Sequence, residues 1–251
     1  MPSERAASAS VASRGRLQGK TALITGGNRG IGLEIARALA KEGCGLVITG
    51  RDQVSLHKAS RELVRRGVRV LAKTCDVRDP LSVEALMAEV KEQFRQLDIL
   101  INNAGVGHGR CNVKDLPLPD WNEVIEINLT GTYLVTRAAL PLMHAGATIV
   151  NNLSIAATRV FPGSSAYNAS KHGALGFTNT LREELRSEAI RVIAFMPGAT
   201  DTAIWNTLWP EAPRAKMMKA ETVAAALLGA LLLPANSAVE ELKLLPSAGT
   251  L

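Results

Sequence analysis

Short apolar runs alternate with longer amphipathic segments along almost the whole chain. That alternation constrains the fold more than any other feature of the sequence. Ala22–Ile24, Leu46–Ile48, Val68–Leu71, Ile99–Ile101, Thr148–Val150, Val192–Phe195 and Glu241–Leu245 read as strands. Between them Ile31–Lys41, Gln53–Arg66, Leu81–Phe94, Trp121–His144, Ser165–Glu188 and Thr222–Leu232 read as helices. Ile31, Ile35, Ala38 and Leu39 share one face of the first helix, which stops near Gly43. Gly67 stops the second helix, and Asp79–Pro80 gives the third a cap and a first-turn proline. Strands joined through helices run parallel, and helices then cover both faces of the sheet. The expectation is a single α/β domain, a doubly wound parallel sheet of about seven strands.

Composition removes several alternatives. The chain has 251 residues, 47% of them hydrophobic and 21% charged, as expected for a globular domain rather than a disordered chain. Aromatic residues are only 4%, so Ala, Val, Leu and Ile must build the core. The longest apolar run, Val223–Leu233, is about half of the ~20 residues a membrane span requires and reads as a buried helix. Part of the net charge of +6 comes from Arg5, Arg14, Arg16 and Lys20. Elsewhere bases alternate with acids, as in Arg182–Arg186, the pattern of a solvated helix face. With no basic stripe interleaved with aromatics, neither nucleic acid nor membrane is expected as a partner.

Cys44, Cys75 and Cys111 are widely spaced and odd in number, which suits free thiols in a reducing, cytoplasmic setting. The four His show no metal-ligand spacing, so no metal is expected. Residues 1–18 read as a disordered extension rich in Ala, Ser and Arg, with an organellar address as the alternative, and 19–251 as the domain.

Thr25-Gly26-Gly27-Asn28-Arg29-Gly30-Ile31-Gly32 joins the first strand to its helix. Gly26 permits a tight turn, Gly30 lets the backbone approach a pyrophosphate, and Gly32 allows close packing of the helix. Free N–H groups at the helix start favour an anion. At the end of the second strand, where an acid would bind the ribose 2′-hydroxyl of NAD, stand Gly50 and Arg51. A guanidinium suits a 2′-phosphate, and Arg29 supplies a second charge, so NADP(H) is favoured over NAD(H).

Tyr167 and Lys171 are four apart and share a helix face, which sets a phenol beside an ammonium. A nearby cation lowers the free phenol's pKa of about 10, giving a proton donor that works nearer neutrality.

Together these residues resemble the short-chain dehydrogenases/reductases over about Lys20 to Thr202. The family's glycine turn matches Thr25–Gly32, its adenine-contacting Asp matches Asp76, followed by Val77, and its Asn-Asn-Ala-Gly signature matches Asn102, Asn103, Ala104 and Gly105. Its helix Asn matches Asn128, its catalytic Ser matches Ser154, and its Tyr-x-x-x-Lys matches Tyr167 and Lys171. Pro197 and Gly198 with Thr200 and Thr202 match the segment that closes over the nicotinamide.

The resemblance implies a Rossmann-type fold and hydride transfer between NADPH and a ketone or aldehyde, or the reverse from an alcohol. In that reading Tyr167 is the general acid/base, Ser154 polarises the oxygen, Lys171 favours the tyrosinate and holds the nicotinamide ribose, and Asn128 positions a relay water. It also implies a homodimer or homotetramer built on the two long helices. The segment Lys243–Leu251 departs from the family's Gly-Gly-containing end, which weakens a fatty-acid 3-oxoacyl reductase assignment.

The substrate walls fall to the loops 106–118, 155–165 and 199–220, with His108, Arg110, Arg159, Val160, Phe161, Trp205, Leu208 and Trp209 as candidates. Trp205 and Trp209 read equally well as a helix face packed on the core. The rival readings are a catalytically silent NADP-binding regulatory protein and a nucleotide-dependent methyltransferase. Neither has a use for the full Asn-Ser-Tyr-Lys set.

Overall fold

The computed structural model describes residues 15–234 and 236–249. Seven parallel strands form one sheet in the order β3-β2-β1-β4-β5-β6-β7. They are β1 (Thr21–Thr25), β2 (Gly45–Gly50), β3 (Val70–Thr74), β4 (Ile99–Asn102), β5 (Thr148–Asn152), β6 (Arg191–Pro197) and β7 (Glu241–Leu244). The helices are α1 (Gly30–Lys41), α2 (Gln53–Val64), α3 (Pro80–Phe94), α4 (Leu118–Ile125), α5 (Gly131–Ala139), α6 (Ser165–Leu185), the single turn α7 (Trp205–Leu208) and α8 (Ala220–Leu231).

Successive strand residues face opposite layers. Ala22 and Ile24 of β1 join Ile35, Leu39, Leu56, Val223 and Leu227 in one core, under α1, α2 and α8. Leu23 joins Leu86, Val90, Leu100, Ile149 and Leu181 in the other, under α3, α5 and α6. Every β1 residue is buried, as a strand covered on both faces must be. The run that was too short to span a membrane is α8, packed on this core, and no helix among the described residues is long and apolar enough to cross one.

Beyond shifts of a few residues at element ends, three departures from the expected boundaries stand out. The third strand runs from Val70 rather than Val68 and continues through the polar Lys73 and Thr74, which pair with Thr49 and Gly50. It is an edge strand, so one flank meets water and polar residues belong there.

The helix expected over 121–144 is not continuous. α4 begins at Leu118, a π-helical turn occupies Glu126–Thr130, α5 follows, and a 3-10 turn at Leu140–Leu142 ends the run. Pro141 cannot continue an α-helix, and the π turn carries Asn128.

Of the proposed disordered extension, residues 1–14 lie outside the described residues, whereas 15–18 belong to the folded body. Leu17 is buried in the first core and its N–H donates to Glu42 O at 2.9 Å, because an apolar side chain here covers the end of α1.

Candidate active site

From β1 the chain winds outward through β2 and β3, then crosses back to β4 on the other side of β1. The crevice between the C-terminal ends of β1 and β4 is therefore the switch point where doubly wound sheets bind ligands. Thr25 ends β1 there, and its Oγ1 accepts from the N–H groups of Asn103 and Ala104, each at 2.9 Å. Asn103 Nδ2 donates back to Thr25 O at 2.9 Å and to Gly26 O at 3.2 Å. The glycine turn and the Asn103–Gly105 loop are thus one unit, which the sequence names as two motifs.

Gly26 and Gly30 have φ of 63° and 54°, the left-handed region. Gly32 is needed for close approach, since a Cβ there would lie 2.4 Å from Gly26 O and 2.5 Å from Asn103 Nδ2. Arg29 precedes α1 without a side-chain cap, and the first turn of the helix holds no carboxylate. The start of α1 thus keeps its positive pole for an external anion. Asn28 donates to Ser55 Oγ at 2.8 Å and fills the space beside Gly50, where a Cβ would lie 2.5 Å from Asn28 Oδ1. An acid at position 50 has no room while Asn28 keeps that seat.

Asp76, which follows β3, is gripped by Arg78, with Nη2 to Oδ2 at 2.6 Å and Nε to Oδ1 at 3.0 Å. The Arg78 guanidinium holds the Asp76 carboxyl below the usual range against the opposing effect of burial. Val77 packs against Gly131 at the start of α5. Arg51 is half-exposed, with Nη1 3.6 Å from Glu123 Oε1 on α4.

Asn128 is buried, and its amide is fully engaged. Oδ1 accepts from Val106 N at 2.9 Å, and Nδ2 donates to Val106 O at 2.9 Å and Ser170 Oγ at 3.0 Å. Its side chain therefore staples the loop after β4 to α6. Its carbonyl accepts from Thr132 Oγ1, whose own carbonyl accepts from Thr136 Oγ1, which accepts in turn from Asn102 Nδ2. A buried hydrogen-bonded chain thus runs from the end of β4 to the π turn.

Ser154 follows β5 and begins a 3-10 turn, its Oγ accepting from Ala156 N at 3.1 Å. Tyr167 and Lys171 lie on α6 as expected, with the ammonium 5.6 Å from the ring centroid. Burial pushes the Tyr167 phenol above its ordinary pKa, and the nearby Ser154 hydroxyl pulls the other way. Burial also lowers the Lys171 ammonium to about 8. The expected lowering of the phenol by Lys171 is not what this structure has, because removal from water outweighs the other influences on a phenolate this enclosed. Lys171 Nζ donates to Asn152 O at 3.2 Å, and a Cβ on Gly105 would lie 3.6 Å from it.

Of the three loops expected to wall a substrate, 106–118 touches both of the others. Cys111 N donates to Gly163 O at 3.1 Å, Leu208 lies directly over Gly107, and the Arg110 guanidinium stacks on the Trp209 ring at 5.2 Å. His108 is buried, with Nδ1 2.7 Å from Gly109 O. Trp205 is partly exposed, and its Nε1 donates to Thr200 O at 2.9 Å, so it braces the segment after β6. That segment leaves β6 at Pro197, where Gly198 N donates to Leu244 O and Thr200 is buried. The Thr202 side chain lies 3.5 Å from where a Cβ on Gly30 would be, which closes the segment over the glycine turn. Val160 is 77% exposed and faces water rather than a pocket.

Two site residues escaped the sequence reading. Asn168 Nδ2 donates to Arg159 O and Ala156 O, and its Oδ1 accepts from Phe161 N. It thereby moulds the whole 155–161 loop around Tyr167. Asn152 donates to Asn103 Oδ1 at 2.8 Å, while its own Oδ1 is buried without a partner. The available signal was a polar residue at the end of a buried strand and another inside a helix beside the key tyrosine. Among the described residues no cluster of His, Cys, Asp or Glu fits a metal ion.

Comparison with known proteins agrees with the fold. The family model described as short chain dehydrogenase matches residues 20–213. Dehydrogenase/reductase SDR family member 4 of Bos taurus is 36% identical over 220 residues, 87% of this chain and 79% of that protein. A putative ketoacyl reductase of Streptomyces coelicolor is 40% identical over 187 residues, 73% of this chain and 71% of the relative. The crystal structure of a short chain dehydrogenase from Burkholderia cenocepacia in complex with NADP superposes with a TM-score of 0.85 at 32% identity, covering 93% of this chain and 99% of that one.

Proposed function

Because the chain belongs to the short-chain dehydrogenase/reductase family of oxidoreductases, we propose that it interconverts a small carbonyl compound, ketone or aldehyde, and the corresponding alcohol with NADP(H). The observation that carries this reading is the convergence of the Ser154 and Tyr167 side chains beside the buried Lys171, whose ammonium is 5.6 Å from the phenol ring, next to a turn shaped for a diphosphate. The fit to a dinucleotide rests on the cradle at Gly32, the uncapped start of α1 and the unpartnered Asn152 Oδ1 beside Lys171. Thr25, Gly26, Asn28, Arg29, Gly30, Ile31, Gly32, Arg51, Asp76, Val77, Asn103, Ala104 and Gly105 would hold the cofactor's adenosine and diphosphate half. Tyr167, Lys171, Pro197, Gly198, Thr200 and Thr202 would hold its nicotinamide half. When bound, the nicotinamide supplies the hydride.

In the reductive direction Tyr167 Oη donates its proton to the carbonyl oxygen, and Ser154 Oγ holds that oxygen in line. A phenol raised by burial remains protonated and ready to donate across the neutral range. Lys171 sits behind it as the charged neighbour that steadies the phenolate left behind. Asn128 keeps the loop and α6 in register for this. Oxidation of NADPH with a panel of ketones and aldehydes tests the reading. Cofactor binding without turnover of any of them would favour the silent regulatory alternative.

NADPH is expected to bind more tightly than NADH, and Arg51→Ala to weaken NADPH binding by roughly ten- to a hundredfold, the worth of a charged hydrogen bond. Fluorescence titration of both cofactors checks this, and equal affinities in the unsubstituted protein would remove the preference.

We further propose a homodimer or homotetramer through α4–α5 and α6, in the cytoplasm, where the free Cys44, Cys75 and Cys111 stay reduced. Ala174 and Ala139 are buried within the chain's own cores, so the small residues left for a partner are Thr130, Ala169 and Gly176. Tyr133, 43% exposed and edge-on to Phe177 at 6.2 Å, joins them on that surface. Light scattering is expected to exceed the 26.7 kDa of a monomer, and Gly176→Arg, at a position with open space around it, to split the assembly. A wild-type monomer at micromolar concentration overturns this.

A further inference from the structure

The arginine best placed for a 2′-phosphate already has an anionic partner inside the chain. Arg51 Nη1 lies 3.6 Å from Glu123 Oε1, and both side chains are half-exposed. The neighbouring Arg78 is committed to Asp76 at 2.6 Å and also lies 3.9 Å from Glu126 Oε2. Glu123 is close enough to act electrostatically on Arg78, and Arg51 on Asp76, so the five groups form one charged lattice at the C-terminal ends of β2 and β3. Of the two arginines Arg51 is the more exposed, and its 3.6 Å pairing with Glu123 is looser than the 2.6 Å grip of Arg78 on Asp76, so an incoming ligand breaks it more easily.

We propose that Glu123 sets how strongly this site prefers a 2′-phosphorylated nucleotide, its carboxylate occupying Arg51 in the free protein and competing with the phosphate for it. This rests on the reading of Arg51 as the phosphate contact. A carboxylate and a phosphate monoester offer the same guanidinium the same kind of oxygen acceptors, so one displaces the other. A nucleotide without the 2′-phosphate has nothing to exchange for the lost pair and leaves it in place. Glu123 thus lowers affinity for the phosphorylated nucleotide alone. Because the pair is exposed, the effect is modest and falls with salt. Glu123 stands on α4 facing the nucleotide end and is remote in sequence from the glycine turn and the strand-two end, where cofactor choice is usually read.

The test uses 2′,5′-ADP and 5′-AMP as probes, which carry no nicotinamide and report binding without turnover. Calorimetry on the apo-protein at low salt is expected to show Glu123→Gln binding 2′,5′-ADP roughly two- to fivefold more tightly, the worth of an exposed ion pair. Binding of 5′-AMP should not change. In an Arg51→Ala background the same Glu123→Gln change should give no gain, since no guanidinium remains to compete for.

If Arg51→Ala leaves the preference for 2′,5′-ADP over 5′-AMP intact, the reading of Arg51 fails and the Glu123 proposal with it. If Arg51→Ala abolishes the preference while Glu123→Gln changes nothing, Arg51 stands and Glu123 is overturned. A gain that persists without Arg51 also overturns the competition, because it then reflects only the removal of a negative charge. Far-UV circular dichroism and the melting temperature of each variant identify any loss of fold, and Glu123→Ala, which also removes the carboxylate, provides a second measurement.

Discussion

Tyr167→Phe is expected to abolish nearly all carbonyl reduction, by roughly 10²- to 10⁴-fold, while cofactor affinity stays within about threefold. The substitution keeps the ring, its packing and its place on α6. It deletes only Oη and with it the polar influence of the neighbouring Ser154 on the phenol. Even a full hydrogen bond is worth only about 1 kcal/mol of stability, too little to unfold the domain. The polar groups of Lys171 and Asn128 are already engaged elsewhere. Lys171 Nζ is directed at Asn152 O, and both polar atoms of the Asn128 side chain are occupied by Val106 and Ser170. Stopped-flow absorbance of NADPH under single-turnover conditions reads the chemical step, and fluorescence titration reads binding. Turnover surviving within a few-fold would show that Tyr167 is not the acid. Loss of binding together with turnover would show that it serves as a cofactor ligand first.

The pattern behind this expectation was legible because the fold's periodicity is strong. Strands buried on both faces must be continuously apolar, and helices that cover a sheet must carry one apolar stripe. Both signals survive in β1, β2 and α1 almost to the residue. Helix interruptions were not legible. A π turn inserts one residue into a helix that otherwise keeps its apolar face, so the segment around Asn128 reads as uninterrupted although its backbone is not helical in the ordinary sense. Residues recognised by type and spacing, such as Ser154, Tyr167 and Lys171, converge as expected. The residues that hold them do not carry a spacing of their own. Asn168 acts through backbone carbonyls and an N–H of a loop whose path no local pattern states, and Glu123 meets Arg51 only because α4 packs beside the end of β2. The direction of the Tyr167 shift was also hidden, since it depends on how deeply the ring is enclosed rather than on which cation is nearby.

Enclosure has a second consequence, at Lys171. The residue is 5% exposed, and burial lowers the pKa of its ammonium from 10.5 to about 8. Between these values the unfolded chain binds a proton that the native state does not, so stability rises with pH across that window. Below pH 8 both states are protonated, and the full penalty of burying the charge applies. At 1.36 kcal/mol per pKa unit it amounts to about 3 kcal/mol. Lys171→Met removes the charge and keeps most of the volume, at the loss of the hydrogen bond to Asn152 O, about 1 kcal/mol. At pH 7 the apo variant should therefore be more stable than the unsubstituted protein by about 2 kcal/mol, a rise of roughly 4–8 °C in melting temperature for a domain this size. Turnover should meanwhile collapse. Above pH 10.5 neither state carries the charge, so the advantage should vanish and then reverse by the missing hydrogen bond. Thermal unfolding of both proteins without cofactor at pH 7, 9 and 10.5 reads the difference directly. A gap that does not change with pH, or a variant less stable at pH 7, would mean that Lys171 is not held against its own solvation. In the proposed reading the ammonium is kept out of water to give Tyr167 a charged neighbour, and the fold is less stable for keeping it there.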